Sequence, residues 1–279
     1  MISDQNSLTV IALLAGPPQA TELWTLRRLA AAGFTLRVLQ AWRQRPPGEL
    51  KRLRRLIASH GLSGTASRLV GSLLFGRYEQ RQEHDRLGRL FDIDYLKTWW
   101  QKSGIPVEEV SYLNGSDSVE TLRRLKPDFI VRVSGGVLKN VVFSAARIAT
   151  VNIHHGVASR IRGMWSIPWG IVENRPDWIG ATVHVIDAGI DTGPVLWCGH
   201  PQLAPGDTAV DLFFRAHLEA VEALVSGIRK LSDGFQPAHE AGPSQAVYRS
   251  APGILACLKY LAVGRGKHAR IILERAVRC

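Results

Sequence analysis

The sequence predicts an α/β fold, a mostly parallel twisted sheet with helices on both faces. Two observations carry that expectation. Short, nearly continuous apolar runs recur along the chain, as strands buried on both faces require. Between them lie longer segments of helical period closed by glycine.

In order, Leu8–Ala15 reads as a first strand, Thr21–Ala32 as a helix ended by Gly33, and Phe34–Gln40 as a second strand. Asp4 stands before the first run, with no basic region and no small-residue cleavage pattern, so the run reads as a strand rather than a leader. Asp94–Lys102 is then helical, Pro106–Val110 a strand, Val119–Leu125 a helix, and Asp128–Val133 a strand running into Gly135 and Gly136. Val141–Arg147 is expected as a helix before the strand that opens "TVNIHHGVASRIRGMWSIPWG" at Thr150. Trp165–Glu173 is expected as a helix with Pro168 near its first turn, where a missing N–H is tolerated. Ala181–Ile186 and Val195–Cys198 read as strands, and Thr208–Leu231 as a long helix stopped near Gly234. Residues 1–232 are expected to form one domain, with a basic insertion at about 46–90, and 233–279 a short C-terminal extension.

Composition narrows the function. The chain has 279 residues, 46% of them apolar, and a formal net charge of +11. No stretch reaches the roughly 18 apolar residues of a membrane span. Three scattered cysteines, Cys198, Cys257 and Cys279, suit a reducing compartment and argue against a disulfide framework. The excess charge is concentrated. Between Ala41 and Arg89 lie eleven basic residues and only four acids, Glu49, Glu79, Glu83 and Asp85. A solvated face, a patch for an anionic ligand and a membrane-surface element all fit that count. Gly61, Gly64, Gly71 and Gly76 argue against one uninterrupted helix there.

Several activities lack their signatures. The first strand ends in "AGPPQA" rather than a dinucleotide turn, and no P-loop, C-x-x-C pair or G-x-S-x-G elbow occurs. Two polar segments remain. In the strand from Thr150, alternation puts Asn152 and His154 on one face and His155 on the other. In "ATVHVIDAGIDTGPVL", Thr182 and His184 share a face, and Asp187 and Asp191 follow. A metal site from His154, His155, His184 and Asp191 is disfavoured because adjacent strand histidines diverge.

Together these two segments, at this separation, resemble the folate-dependent formyltransferase family. That family includes glycinamide ribonucleotide, methionyl-tRNA and sugar N-formyltransferases. The resemblance runs from about Asp128 to Leu231 and implies a Rossmann-like fold. Matched position by position, it implies Asn152, His154 and Asp191 as the catalytic residues. It implies a folate site at Gly135, Gly136, Val137, Leu138, His184, Ile186, Asp187, Ala188, Gly189 and Ile190, with no metal. The loop with Arg160, Arg162, Gly163 and Trp165 is expected at the substrate, where guanidinium could hold an anionic group. Trp165, Trp169 or Tyr248 could stack on a base. Where the family has Pro-Ser or Pro-Gly after the histidine and then a "Leu-Leu-Pro" loop, this chain has His155-Gly156 and Val157-Ala158-Ser159.

The chemistry fits the residue types. An amide N–H from Asn152 and a protonated His154 would stabilise the oxyanion of a tetrahedral intermediate. Asp191 is expected to keep His154 protonated near neutral pH. The expected reaction is formyl transfer from 10-formyltetrahydrofolate to a primary amine, with an amino-sugar nucleotide as favoured acceptor. The sequence after the core is too short for the extra domain of the tRNA enzymes, so tRNA is not expected. Hydrolysis of the same folate, and a non-catalytic accessory role at a membrane surface, remain alternatives. A cytoplasmic location is expected, with peripheral membrane contact through the basic insertion as a further expectation.

Overall fold

The computed structural model describes residues 7–43, 49–204, 207–237 and 246–264. Seven strands form its main sheet: β1 (Thr9–Leu14), β2 (Thr35–Ala41), β3 (Val107–Val110), β4 (Phe129–Arg132), β5 (Ala149–His154), β7 (Ala181–Val185) and β8 (Val195–Gly199). Their order is β3-β2-β1-β4-β5-β7-β8. All neighbours from β3 through β5 pair parallel, while β5–β7 and β7–β8 pair antiparallel. The sheet is therefore mostly parallel, as the alternating pattern predicts. The antiparallel edge was not legible, because a short apolar run reads the same in either direction.

The helices are α1 (Ala20–Ala31), α2 (Glu49–Leu90), α3 (Ile93–Lys102), α4 (Ser116–Leu125), α5 (Asn140–Phe143), α6 (Ser166–Val172), α7 (Ala209–Ser232) and α8 (Ile254–Gly264). A small parallel pair, β6 (Ile161–Gly163) with β9 (Val247–Arg249), stands apart from the main sheet. β1 has alternate residues in two cores. Val10, Ala12 and Leu14 pack with Leu224 and Ile228 of α7, while Ile11 and Leu13 pack with Leu122 and Val142 on the other face. Period-two alternation with both faces covered makes the run look continuously apolar. Thr208 and Asp211 cap α7 reciprocally, the Thr208 N–H meeting Asp211 Oδ2 at 2.8 Å, which is worth about 1 kcal/mol.

One expected element needs correction. The helix expected over Val141–Arg147 is a single turn. The chain leaves it because Arg147 donates from its backbone to Pro127 O and from Nε to Asp128 Oδ1 at 2.7 Å. The basic insertion is helical from Glu49 to Leu90 but consists of two helices meeting at a kink at Gly61, whose φ of 69° is non-helical, so the run is interrupted as its glycines lead one to expect. Gly71 is absorbed for a packing reason: a side chain there would meet Pro252 O at 2.7 Å. Within the expected C-terminal extension, residues 246–264 pack onto the rest of the chain. β9 pairs with β6, α8 packs on α2 and α6, and Trp169 Nε1 donates to Ser250 O at 3.0 Å. Among the described residues no helix is long and apolar enough to cross a membrane.

Candidate active site

The register of β5 against β7 places Asn152 opposite His184 and His154 opposite Thr182. Directly opposed residues share a face, so the amide and both imidazoles converge at one end of the sheet. Asn152 Nδ2 lies 3.0 Å from His184 Nε2. The His184 Nδ1 atom lies 2.9 Å from Val185 O, which can only accept, so Nδ1 carries the proton and Nε2 receives the Asn152 N–H.

Arg132, at the end of β4, fixes the amide's orientation. Its guanidinium donates to Asn152 Oδ1 at 2.6 Å, to Gly135 O at 2.6 Å and to Gly136 O at 3.1 Å. With Oδ1 bound to Arg132 and one Nδ2 hydrogen on His184, Asn152 keeps one N–H for another partner. Burial lowers the Arg132 guanidinium below its usual pKa and Asp191 partly offsets that; it remains a cation.

Asp191 reaches back from the loop after β7. Its carboxylate lies 3.3 Å from His154 Nδ1 and 3.6 Å from His184 Nε2, and it accepts the Gly163 N–H at 3.0 Å. The residue has φ of 52°, a left-handed conformation that costs a non-glycine residue on the order of 1 kcal/mol. Trp165, at φ 64°, is a second such residue in the site. Gly163 has φ of 99°, and a side chain there would strike Arg249 O. Only glycine lets β6 and β9 close there while its N–H faces the carboxylate. Burial alone would raise the Asp191 carboxyl. The His184 and His154 imidazoles and the Gly163 N–H outweigh it, holding the group well below the usual carboxylate range.

His154 behaves differently from expectation. Its Nε2 lies 3.0 Å from Ile161 O and 3.4 Å from Ser166 Oγ, and the ring is buried. Burial pushes its pKa below 6.5, and the opposing pull of Asp191 does not restore it. Asp191 therefore does not keep His154 protonated near neutral pH. Both ring nitrogens nonetheless face acceptors, Asp191 and Ile161 O, so the contacts are completed when the ring gains a proton.

These groups line a cavity of about 600 Å³. Of the expected folate residues, Gly135, Gly136, Val137, Leu138, His184, Ile186, Asp187, Gly189 and Ile190 line it, and Ala188 does not. Gly163 and Trp165 line it as well, but Arg160 and Arg162 do not. The Arg162 guanidinium instead donates to Ala158 O at 3.0 Å. Tyr248 is brought to the lining by β9, whereas Trp169 is turned away onto Ser250.

His155, one residue past the end of β5, also lines the cavity, on the side of Phe213. Its ring packs 4.1 Å from that of Phe213, and its Nε2 lies 3.1 Å from His217 Nδ1. Thr182 Oγ1 donates to Gly156 O at 2.8 Å and accepts from Ala158 N at 3.0 Å, holding the loop in place without proline. Among the described residues no cluster is arranged to hold a metal ion.

Sequence reasoning missed Arg132, Ser166, Phe213 and the lining contributed by Thr21 and Glu22. The signal for Arg132 was present: an arginine inside a run otherwise as apolar as "FIV".

Comparison with known proteins places this geometry. The family model described as Formyl transferase matches residues 107–228. A methionyl-tRNA formyltransferase from Anaeromyxobacter sp. (strain K) is 30% identical over 139 residues, covering 50% of this chain and 44% of that protein. One from Agathobacter rectalis is 27% identical over 132 residues, 47% of this chain and 42% of that protein. The chain thus matches less than half the length of these curated relatives. A sugar N-formyltransferase structure from Shewanella sp. FDAARGOS_354 superposes with TM-score 0.55 at 12% identity, covering 92% of this chain and 87% of that one. Glycinamide ribonucleotide transformylase 1 from Symbiobacterium toebii gives TM-score 0.53 at 18% identity, covering 84% and 93%. The resemblance to formyltransferases holds in residues 107–228, and the fold is the Rossmann-like fold of these enzymes.

Proposed function

We propose that this chain, whose residues 107–228 carry the formyl transferase pattern, transfers a formyl group from 10-formyltetrahydrofolate to a primary amine of a small biosynthetic molecule. The observation that carries this reading is the convergence of Asn152, His154, His184 and Asp191 at one cavity wall. The folate is assigned to the side lined by Gly135–Leu138 and Ile186–Ile190, the acceptor to the side toward Thr21, Trp165 and Phe213.

The amine nitrogen attacks the formyl carbon, and the carbonyl oxygen gains charge. The remaining Asn152 N–H is the donor to that oxygen, and its direction is set by Arg132 and His184. The amine's proton is relayed through the Asp191 carboxylate to His154 Nδ1, and the imidazolium so formed is held by Asp191 and Ile161 O. As the carbon–N10 bond breaks, that proton is returned to the leaving folate nitrogen. His154 thus serves as a base first, which its lowered pKa favours.

The favoured acceptor is an amino sugar, carried as a nucleotide. Trp165 and Tyr248 offer rings for sugar or base. The carboxylates Glu22 and Asp187 also line the cavity, and Arg132 is already engaged, so the diphosphate is assigned outside this lining. Incubation with 10-formyltetrahydrofolate and a panel of amines, with both products followed by mass spectrometry, tests the reading. Formylated amine formed in step with tetrahydrofolate is expected. Tetrahydrofolate and formate released without an amine would identify a hydrolase, and no folate turnover would overturn catalysis altogether.

A further inference from the structure

The insertion helix carries an apolar face outside the site. On α2, Leu62, Leu69 and Leu73 are exposed, Leu62 by 74% and Leu73 by 64%. Spacings of seven and four residues put them on one helical face. The opposite face is already occupied. There Ser67 Oγ accepts the Ile254 N–H at 3.1 Å, Arg68 donates to Ala251 O at 3.2 Å, and Cys257 Sγ donates to Gly71 O at 3.2 Å. The helix is held on α8 by its small and polar residues and turns its leucines outward. That is the reverse of an ordinary surface helix. α8 repeats the arrangement, burying Cys257 and Tyr260 while Leu255 is 82% exposed and Leu258 is also exposed.

The charge pattern selects the occupant. From Leu56 to Leu74 the sequence carries one formal charge, Arg68, and Lys51, Arg52, Arg54 and Arg55 immediately precede it. A leucine-bearing segment of almost no charge that follows a run of cations in sequence has the composition that complements an anionic bilayer, where aliphatic side chains enter the acyl boundary and cations meet headgroups. Protein interfaces instead favour aromatic and arginine anchors, and exposed leucines alone are poor ones.

We propose that the exposed leucine face of α2 and α8 docks this protein peripherally on an anionic membrane surface. The proposal is independent of the catalytic reading, since binding is measured without turnover. α8 also packs on α6, which contributes residues to the cavity lining.

Flotation of the full chain with phosphatidylcholine vesicles, with and without about 30 mol% phosphatidylglycerol, tests it. Binding is expected only to the anionic vesicles and should weaken several-fold between low salt and about 0.5 M. Leu69→Gln with Leu73→Gln should reduce the bound fraction ~10-fold while circular dichroism and melting temperature stay unchanged. Arg52→Gln, Arg54→Gln and Arg55→Gln together should remove the anionic preference without touching the leucine face. No binding of the wild type, or equal binding by the leucine variant, overturns the proposal. So does a wild-type dimer that Leu69→Gln/Leu73→Gln converts to monomer, which would assign the face to a second copy.

Discussion

His154 and His155 are consecutive, both are removed from bulk water, and each faces a second imidazole. Their surroundings differ in one respect. His154 and His184 share Asp191, whereas His155 and His217 meet no carboxylate. Burial lowers both members of the second pair, His155 well below 6.5 and His217 to about 4, with only Thr21 O pulling His217 the other way. In the proposed mechanism His154 accepts a proton in passing beside Asp191, whereas burial with no carboxylate partner holds His155 and His217 neutral. Two consecutive histidines on one cavity are thus set apart by a single carboxylate.

Removing the carboxylate should erase that difference, and it is the largest effect expected. Asp191→Asn keeps the shape but takes away the charge that stabilises protonated His154, so turnover should fall ~10²-fold or more, with little change in folate affinity. His154→Ala and Asn152→Ala should fall by a similar factor. Near-normal turnover in Asp191→Asn would leave the two histidine pairs functionally alike.

Arg132 sharpens the comparison from the other side. Burial lowers the His154 pKa most, and three charged or titratable groups bear on it besides: Asp191 raises it, whereas His184 and Arg132 lower it. In the free enzyme kcat/KM should decline as pH falls through the His154 pKa, below 6.5. Arg132→Met removes a cation, so that acid limb should move to higher pH. Asp191→Asn should move it lower. Turnover of Arg132→Met should also drop ~10-fold, because the amide loses the donor that orients it. Arg132→Lys should recover part of the rate. An acid limb that does not move would reduce Arg132 to a structural tie between β4 and its loop.

The sequence made the strands and the trio legible for physical reasons. Buried strands are written in unbroken apolar runs; Asn152 and His154 interrupt one such run, and Asp191 stands in the loop that follows another. What escaped were consequences of tertiary contact. The direction of β7, the path of Arg162 onto Ala158 O, and the docking of Tyr248 beside Gly163 depend on partners distant in the chain. The protonation of His154 escaped for the same reason. Its partner Asp191 was visible in the sequence, but the depth of burial that outweighs Asp191 was not.

The second pair is expected to act on stability more than on rate. His217 titrates near 6.5 when unfolded and at about 4 in the folded protein. A depressed histidine contributes stability that is fully present above pH 6.5 and is lost as pH falls toward 4, because only the unfolded chain takes up the proton. At about 1.4 kcal/mol per unit, this one residue accounts for on the order of 3 kcal/mol across that window. Asp191 acts elsewhere: its lowered pKa costs stability only below the ordinary carboxylate value of 3.8. His217→Gln retains an amide donor for Thr21 O but does not titrate. Urea unfolding at pH 7.5, 6 and 4.5 should show a shallower loss for this variant than for wild type, with turnover at pH 7.5 changed by less than about threefold. An unchanged pH slope would mean that His217 is protonated in the folded protein. The contrast between the two pairs would then rest on geometry alone.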